Sequence, residues 1–389
     1  MRITDVSTCV LKAPLERPFY SATMMFDHRK SLLVRVETDE GIVGWGEAGQ
    51  FGPAELPKSV IEHVFGPMLI GEDPLNTEKL WQDMYCRTRD YGQKGSVIEA
   101  ISGIDIALWD IKGKALNLPV STLLGGRFRE RVQAYATGLY YQPDYTPEDY
   151  VREAEAYVDK GFKGIKVKIG SNALAQDLAL VAGLRREFGE DFLIMVDSNH
   201  AYNTRSAIRV GKELERYGVY WFEEPVIPED IDGYVEVRRA LNIAIAGGEC
   251  EFTHYGFKNL ITRHAVDIAQ PDLSVTGGFT ACKKVADLAH LFGVMVVPHI
   301  WGSSVAVLAG LQLIAAIPDL PPTNTPRPGF NETLLEFDQS TNPLRERLSK
   351  VPIELSDGFV AIPDRPGIGI DIDETVIEKY CVSGDRRLP

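Results

Sequence analysis

The sequence predicts an α/β protein: a (β/α)7β TIM-like barrel carrying an α+β capping domain built from an N-terminal module and a C-terminal tail. Three observations predict it. Through the middle of the chain, short apolar runs alternate with helix-length amphipathic stretches: VQAYATG, GIKVKIG, LIMVDSN, VYWFEEP, IAIAGGE, VDIAQPD and VMVVPHI, the pattern of parallel βαβ units. Six polar residues close these runs, Lys168, Asp197, Glu223, Glu249, Asp272 and His299, at successive separations of 29, 26, 26, 23 and 27, against roughly 30 residues for one βα unit. That period puts them at equivalent places in successive units, hence in a ring at the carboxyl ends of a closed barrel; an open doubly wound sheet would focus its site on one switch point. Finally, the first 120 or so residues have another character, strands followed by helices.

Taken in order, Thr4 to about Glu47 reads as strands, with SLLVRVETDEGIVGWGE forming two β-rich runs joined by Asp39-Glu40-Gly41, a hairpin signal. From about Pro57 to Leu118 apolar residues recur at helical spacing, most clearly in GSVIEAISGIDIALWDIKGKALNLP, which stops before Pro119. Leu123-Leu124-Gly125-Gly126-Arg127 punctuates the chain, so residues 1–125 are assigned to the cap and 126–335 to the barrel. After His299 come a helix, AVLAGLQLIAAIP, the Pro-rich loop LPPTNTPRP, the segment TLLEFDQ and a turn-rich tail, DGFVAIPDRPGIGIDID. Residues 336–389 are expected to return to the capping domain.

Composition bounds the function. At 389 residues and 44% hydrophobic content the chain can bury a sizeable core. A net charge of -14 without clustered Lys or Arg excludes a nucleic-acid partner. An acidic protein that handles acidic substrates must bring in local positive charge, from a metal or a few buried cations. Cys9, Cys86, Cys250, Cys282 and Cys381 are scattered and odd in number, with no C-x-x-C spacing, which argues against a disulfide framework or thiolate zinc and fits a reducing cytoplasm. No stretch supplies the roughly 18 apolar residues of a membrane span, and no export signal is read at the N-terminus.

Asp197, Glu223 and Glu249 are three carboxylates on consecutive strand ends with no Cys or paired His among them, a set suited to a hard cation such as Mg²⁺. A single strand-end carboxylate commonly just caps the following helix; three in register point to one metal between three strands. In Trp221-Phe222-Glu223-Glu224-Pro225 the two glutamates face opposite sides of a strand, so only one can enter the barrel. Lys166 and Lys168 share a face by the period-two rule, and burial beside a second ammonium lowers a lysine pKa toward that of a general base. The alternative is a lysine that merely balances the carboxylates, and for Lys166 the two readings weigh evenly. His299 and Asp272 sit on adjacent strand ends, where a carboxylate can fix the imidazole tautomer and raise its basicity. His200 is a weaker candidate for contact with substrate.

These residues in this order resemble the enolase superfamily, specifically its mandelate racemase-like subgroup. The motifs that carry the resemblance are GIVGWGE, SGIDIALWDIKGK, KVKIG, DSNHAY, WFEEP, GGE, QPD, PHIWG and PDRPGIGI. It implies that Asp197, Glu223 and Glu249 hold Mg²⁺, that Lys168 is one acid/base and His299 with Asp272 the opposing one. It also implies that Glu336 hydrogen-bonds the substrate carboxylate. PFYSATMMFDHRK, RDYGQKG, DSNHAY and PHIWGSS are most similar to galactarolactone cycloisomerases and their sugar-acid dehydratase relatives, with specificity loops at 19–29 and 47–55. The implied reaction removes the proton α to a carboxylate and eliminates a β-substituent to a 2-keto-3-deoxy acid. The substrate would be an aldaric acid lactone or, alternatively, an open-chain aldonate or aldarate; racemisation or epimerisation of a hydroxy acid is the third option. Asn199, His200, Trp301 and Arg29 are the substrate-binding candidates, and a homo-oligomer is expected. Schiff-base aldol chemistry at Lys168 is a rival that leaves the three carboxylates unexplained.

Overall fold

The computed structural model describes residues 1–49 and 51–382. Gln50, within the expected 47–55 loop, and the last residues of the 336–389 segment lie outside the described residues. The cap opens with an antiparallel meander of β1 (Ile3–Tyr20), β2 (Met25–Thr38) and β3 (Val43–Glu47), turning between the last two at Gly41 with φ of 75°. Helices α1 (Glu55–Val60), α2 (Thr77–Thr88) and α3 (Ser96–Leu116) follow. The glycines of GIVGWGE now have a physical reason: a Cβ on Gly46 would meet the Gly103 carbonyl oxygen at 1.9 Å, and one on Gly44 the Ala107 oxygen at 2.1 Å. The α3 backbone lies directly on β3, and only glycine leaves that room.

The barrel strands are β4 (Arg131–Thr137), β5 (Gly164–Lys168), β6 (Leu193–Asp197), β7 (Trp221–Glu223), β8 (Ala244–Gly247), β9 (Ile268–Ala269), β10 (Met295–Val296) and β11 (Leu335–Asp338). Neighbours from β4 to β10 pair in parallel, and β11 pairs in parallel with the free side of β4. Between them run α4 (Pro147–Asp159), α5 (Leu174–Phe188), α6 (Thr204–Leu214), α7 (Ile231–Ala240), α8 (Thr253–Thr262), α9 (Gly278–Phe292) and α10 (Ser304–Ala315), which is the (β/α)7β order. Tyr135, Met195, Trp221, Ala246, Ile268, Val297 and Leu334 fill the barrel interior as one apolar cluster, so this is a packed core and not a pore. No helix among the described residues is long and apolar enough to cross a membrane.

Two expectations change. The last barrel strand, β11, spans the 335/336 boundary drawn from the sequence, so Glu336 belongs to the barrel wall. The tail also does more than return to the cap: its strands β12 (Leu355–Ser356) and β13 (Phe359–Ala361) form a hairpin whose β13 pairs antiparallel with the start of β4. Beyond it, Ile368 N donates to Asp110 of α3 at 3.0 Å. Helix α11 (Glu374–Tyr380) leads to Val382, whose N–H donates to Val10 O of β1 at 3.0 Å. The tail therefore clasps barrel and cap together.

Candidate active site

Register builds half of the ring. Lys168 pairs with Asp197 and Asp197 with Glu223 across β5, β6 and β7, so these side chains project in one row toward the barrel mouth. Glu249, Asp272 and His299 lie beyond the ends of the short strands β8, β9 and β10; the even sequence period does not mean even strand register, and loops deliver these three. Asp272 combines two roles. Its Oδ1 accepts from Ser274 N at 2.7 Å, capping a helical turn, while its Oδ2 lies 2.7 Å from His299 Nδ1.

Asp197, Glu223 and Glu249 are buried and place ligand oxygens within 4.8 Å of one another. Asp197 accepts from Asn199 N at 2.8 Å and from Lys168; Glu223 accepts from Lys166 Nζ at 2.7 Å and Trp221 Nε1 at 3.0 Å. Glu249 Oε2 is buried, accepts no hydrogen bond, and stands 3.6 Å from His299 Nε2. Burial pushes Glu223 up to about 8 against the pull of Lys166, and burial with the Glu224 charge pushes Glu249 up to about 7. Oxygen-only donors, mutual repulsion and an orphaned buried oxygen are what a divalent cation relieves, so the residues fit one.

The expected depression of the lysines is not found. Burial does pull Lys168 down, but the Asp197 carboxylate more than restores it and its pKa is raised; Lys166, between Glu223 and Glu336 at 2.7 Å from each, is raised well above the ordinary range. One neighbouring ammonium is outweighed by the surrounding carboxylates. Glu336 lies on the cavity wall. Burial would raise it, yet Lys166 and His299 bring it down to about 2, while Thr137 Oγ1 donates to it at 2.6 Å and Ile300 N at 3.1 Å. His299, despite burial, is held up at about 10 by Glu249, Glu336 and Asp272. Asp272 takes the Nδ1 side, which leaves Nε2 facing Glu249 on the cavity side.

Glu224 lies outside the three-carboxylate set yet near enough to Glu249 to raise it, and its Oε2 is 3.2 Å from His200 Nδ1. Asn199, His200 and Glu224 adopt φ of 39°, 58° and 45°, a left-handed turn locked by His200 N and Ser198 Oγ donating to Glu224 O at 2.9 and 2.8 Å. Burial pulls His200 down, but Glu224 brings it up to about 9.

These groups open into a cavity of about 140 Å³. Its floor and walls include Lys166, Lys168, Asn199, His200, Glu249, His299, Trp301 and Glu336; the cap adds Ser21, Thr23, Met24, Phe26 and Phe51 from the two expected loops. Phe51 stacks on Trp301 with centroids 5.6 Å apart and planes 15° apart. A larger cavity of about 550 Å³ opens on the other side of Ser21–Met24 and contains none of the ring, so size does not identify the site. Arg29 is not on the cavity wall. Its guanidinium lies 3.9 Å from the Trp301 ring centroid and pairs with Asp338 and Ser340, so a carboxylate of the protein already takes its charge.

Sequence reasoning missed Thr137 and Tyr140 on the wall, together with Glu47. Tyr140 OH accepts from Trp301 Nε1 at 2.6 Å and donates to Asp338 at 3.2 Å. Glu47, fully buried on β3, accepts from Ser303 Oγ at 2.6 Å and from Ser303 N and Ala306 N at 3.1 Å, capping α10 from the cap side. Thr137 ends the run VQAYATG just as the ring residues end theirs, which is the one signal that could have found it.

Comparisons agree with this geometry. Residues 4–125 match the mandelate racemase / muconate lactonizing enzyme N-terminal domain, and residues 149–376 the enolase C-terminal domain-like family. The D-galactarolactone cycloisomerase of Agrobacterium fabrum is 43% identical over 381 residues, 98% of this chain and 99% of that protein. The crystal structure of the 3,6-anhydro-D-galactonate cycloisomerase from Zobellia galactanivorans superposes with a TM-score of 0.87 at 41% identity, covering 98% of this chain and 100% of that one. A variant of L-talarate/galactarate dehydratase liganded with Mg and L-glucarate gives a TM-score of 0.86 at 28% identity, over 98% and 92%. The chain belongs to the enolase superfamily, in its mandelate racemase and muconate lactonizing enzyme group, and is an enzyme of that group.

Proposed function

We propose that this enzyme removes the proton α to the carboxylate of a sugar acid and expels an oxygen from the β-carbon, giving a 2-keto-3-deoxy acid, with a galactarolactone-like aldaric acid lactone as substrate. One observation carries the reading: Lys168 and the His299–Asp272 dyad stand on the two flanks of the three-carboxylate cluster and open into the same small cavity. Asp197, Glu223 and Glu249 would hold Mg²⁺, which when bound supplies positive charge to stabilise the enolised carboxylate.

The chain's own groups do the rest. Lys168 or His299 Nε2, whichever stands in its neutral form, takes the α-proton, and the electron pair left on the α-carbon breaks the β-carbon–oxygen bond. In a lactone that oxygen leaves as a carboxylate, which needs no proton, and the enol then becomes the ketone. His200, held cationic by Glu224, is the group on the wall suited to the new carboxylate. Phe26, Phe51 and Trp301 make an aromatic side that suits a ring better than an extended polyol. The same reading takes the enzyme to be a cytoplasmic homo-oligomer. Dehydration of an open-chain acid is the second reading, favoured by the likeness to a sugar-acid dehydratase.

The deciding measurement compares kcat/KM for aldaric lactones, anhydro-aldonates, and open-chain aldonates and aldarates, with NMR following a keto product in deuterated buffer. The lactone is expected to be preferred. Preference for an open-chain acid moves the enzyme to the dehydratases; preference for the anhydro acid keeps ring opening and changes the leaving oxygen from carboxylate to alkoxide.

A further inference from the structure

Two cysteines far apart in the sequence meet where the tail clasps the cap. Cys9 lies on β1 and Cys381 follows α11, and their Sγ atoms are 2.8 Å apart. That is closer than two unbonded sulfurs sit comfortably, and a small movement from a bond of about 2.05 Å. The backbone around them is anchored. Leu11 and Cys381 form an antiparallel bridge, Val382 N donates to Val10 O at 3.0 Å, and Cys381 N to Ile377 O at 2.8 Å. Cys9 is fully buried on the same side of β1 as Leu11 and Ala13, in the core those residues share with the barrel. Cys381 packs against that core but remains partly exposed, within reach of a dissolved reagent.

We propose that Cys9 and Cys381 are a redox modification site: they form a reversible cystine that fastens the C-terminal tail to the cap. The oxidant is a low-molecular-weight disulfide such as oxidised glutathione. The Cys381 thiolate attacks one of its sulfurs and releases one small thiol. Cys9, passing its proton to the departing sulfur, then attacks the Cys381 sulfur of the mixed disulfide and releases the second thiol. Two protein thiols are oxidised and one small disulfide is reduced, so atoms and electrons balance. In a reducing compartment the pair stays open, and oxidising conditions close it.

What the bond would do follows from its position. The two residues are 372 apart in sequence, so the cross-link closes nearly the whole chain into one loop and strongly restricts the unfolded state. It also holds together the seam by which the tail, paired with β4 through β13, grips β1. Neither cysteine lines the cavity, so the enzyme is locked against unfolding with its chemistry untouched.

The test uses the full chain with Cys86→Ser, which removes the exposed competing thiol. Reduced protein is incubated with excess oxidised glutathione, then examined by intact mass, by non-reducing peptide mapping and by thermal melting. The expected result is a mass lower by two hydrogens, a linked Cys9–Cys381 peptide, and a Tm higher by roughly 5 °C than in dithiothreitol. Cys9→Ala and Cys381→Ser should each melt identically under both conditions; the partly exposed Cys381→Ser keeps the comparison available if the buried substitution impairs folding. Thiols left unmodified, or a glutathione adduct on Cys381 that Cys9 never resolves, would overturn the proposal.

Discussion

His200 shows how one side chain acquires a role from its neighbours. Its imidazole sits on the cavity wall only because Asn199, His200 and Glu224 take left-handed backbone angles, and Glu224 keeps it charged. A charge-assisted hydrogen bond contributes about 1.5–3 kcal/mol, so His200→Gln, which keeps hydrogen-bonding capacity and loses the charge, should lower kcat/KM for the lactone by roughly ten- to a hundredfold. Exchange of the α-proton on a monocarboxylate should change little. Steady-state kinetics beside solvent-deuterium exchange measures both, and equal losses in the two assays would place His200 in proton transfer instead of carboxylate binding. Arg29 is the opposite case: the same kind of charge, near the same ring, is taken up by Asp338.

Between elements, the contact of α3 with α9 carries a buried carboxyl. Asp105 is fully buried and accepts from Thr280 N at 2.9 Å and Thr280 Oγ1 at 2.6 Å. Burial outweighs these bonds and raises it to about 7 from 3.8. Between those values the folded protein keeps a proton that the unfolded chain releases, so this group's contribution to stability falls as pH rises from about 4 to about 7 and is level above. Asp105→Asn removes that component. In denaturant titrations at about pH 5 and about pH 8, the original protein should lose stability relative to the variant on going up in pH. A constant difference would mean that Asp105 is ionised throughout. The joint matters for function because the cap it anchors also supplies Phe26 and Phe51 to the cavity.

At the scale of the whole molecule, strands β6 and β7 and the loop after β8 each bring one carboxylate to a single point, and their repulsion is a cost that a bound cation would relieve. Mg²⁺ that binds only the folded form at a hundred times its Kd adds about 2.7 kcal/mol, enough to raise Tm by a few degrees. Thermal melts with Mg²⁺ and after chelation should show that rise, and chelation should abolish turnover. Glu249→Gln, which swaps the orphaned oxygen for an amide, should lose both the rise and the activity. A variant that still turned over at the original rate would remove Glu249 from the metal site.

The sequence by itself determined the barrel and most of its ring, because a βα unit has a nearly fixed length and a strand alternates its side chains strictly. Those two constraints alone place Lys166 with Lys168, and Asp197 beside Glu223. The meeting of His299 with Asp272 was legible from the βα period, although the loops that leave adjacent strands, and not the strands themselves, deliver them. What only the tertiary structure decided depends on groups brought from other parts of the chain. The lysine pKa values are held up because several carboxylates converge on them, and Lys166 and Thr137 reach Glu336 across the barrel closure. Arg29 leaves the cavity for Asp338 on the last strand, and Phe51 and Tyr140 join the wall from loops with no periodicity to read. Cys9 meets Cys381 because the tail closes onto the first strand. Local periodicity follows from backbone geometry and is written in the chain; charge balance and long-range contact are sums over neighbours, and folding alone chooses the neighbours.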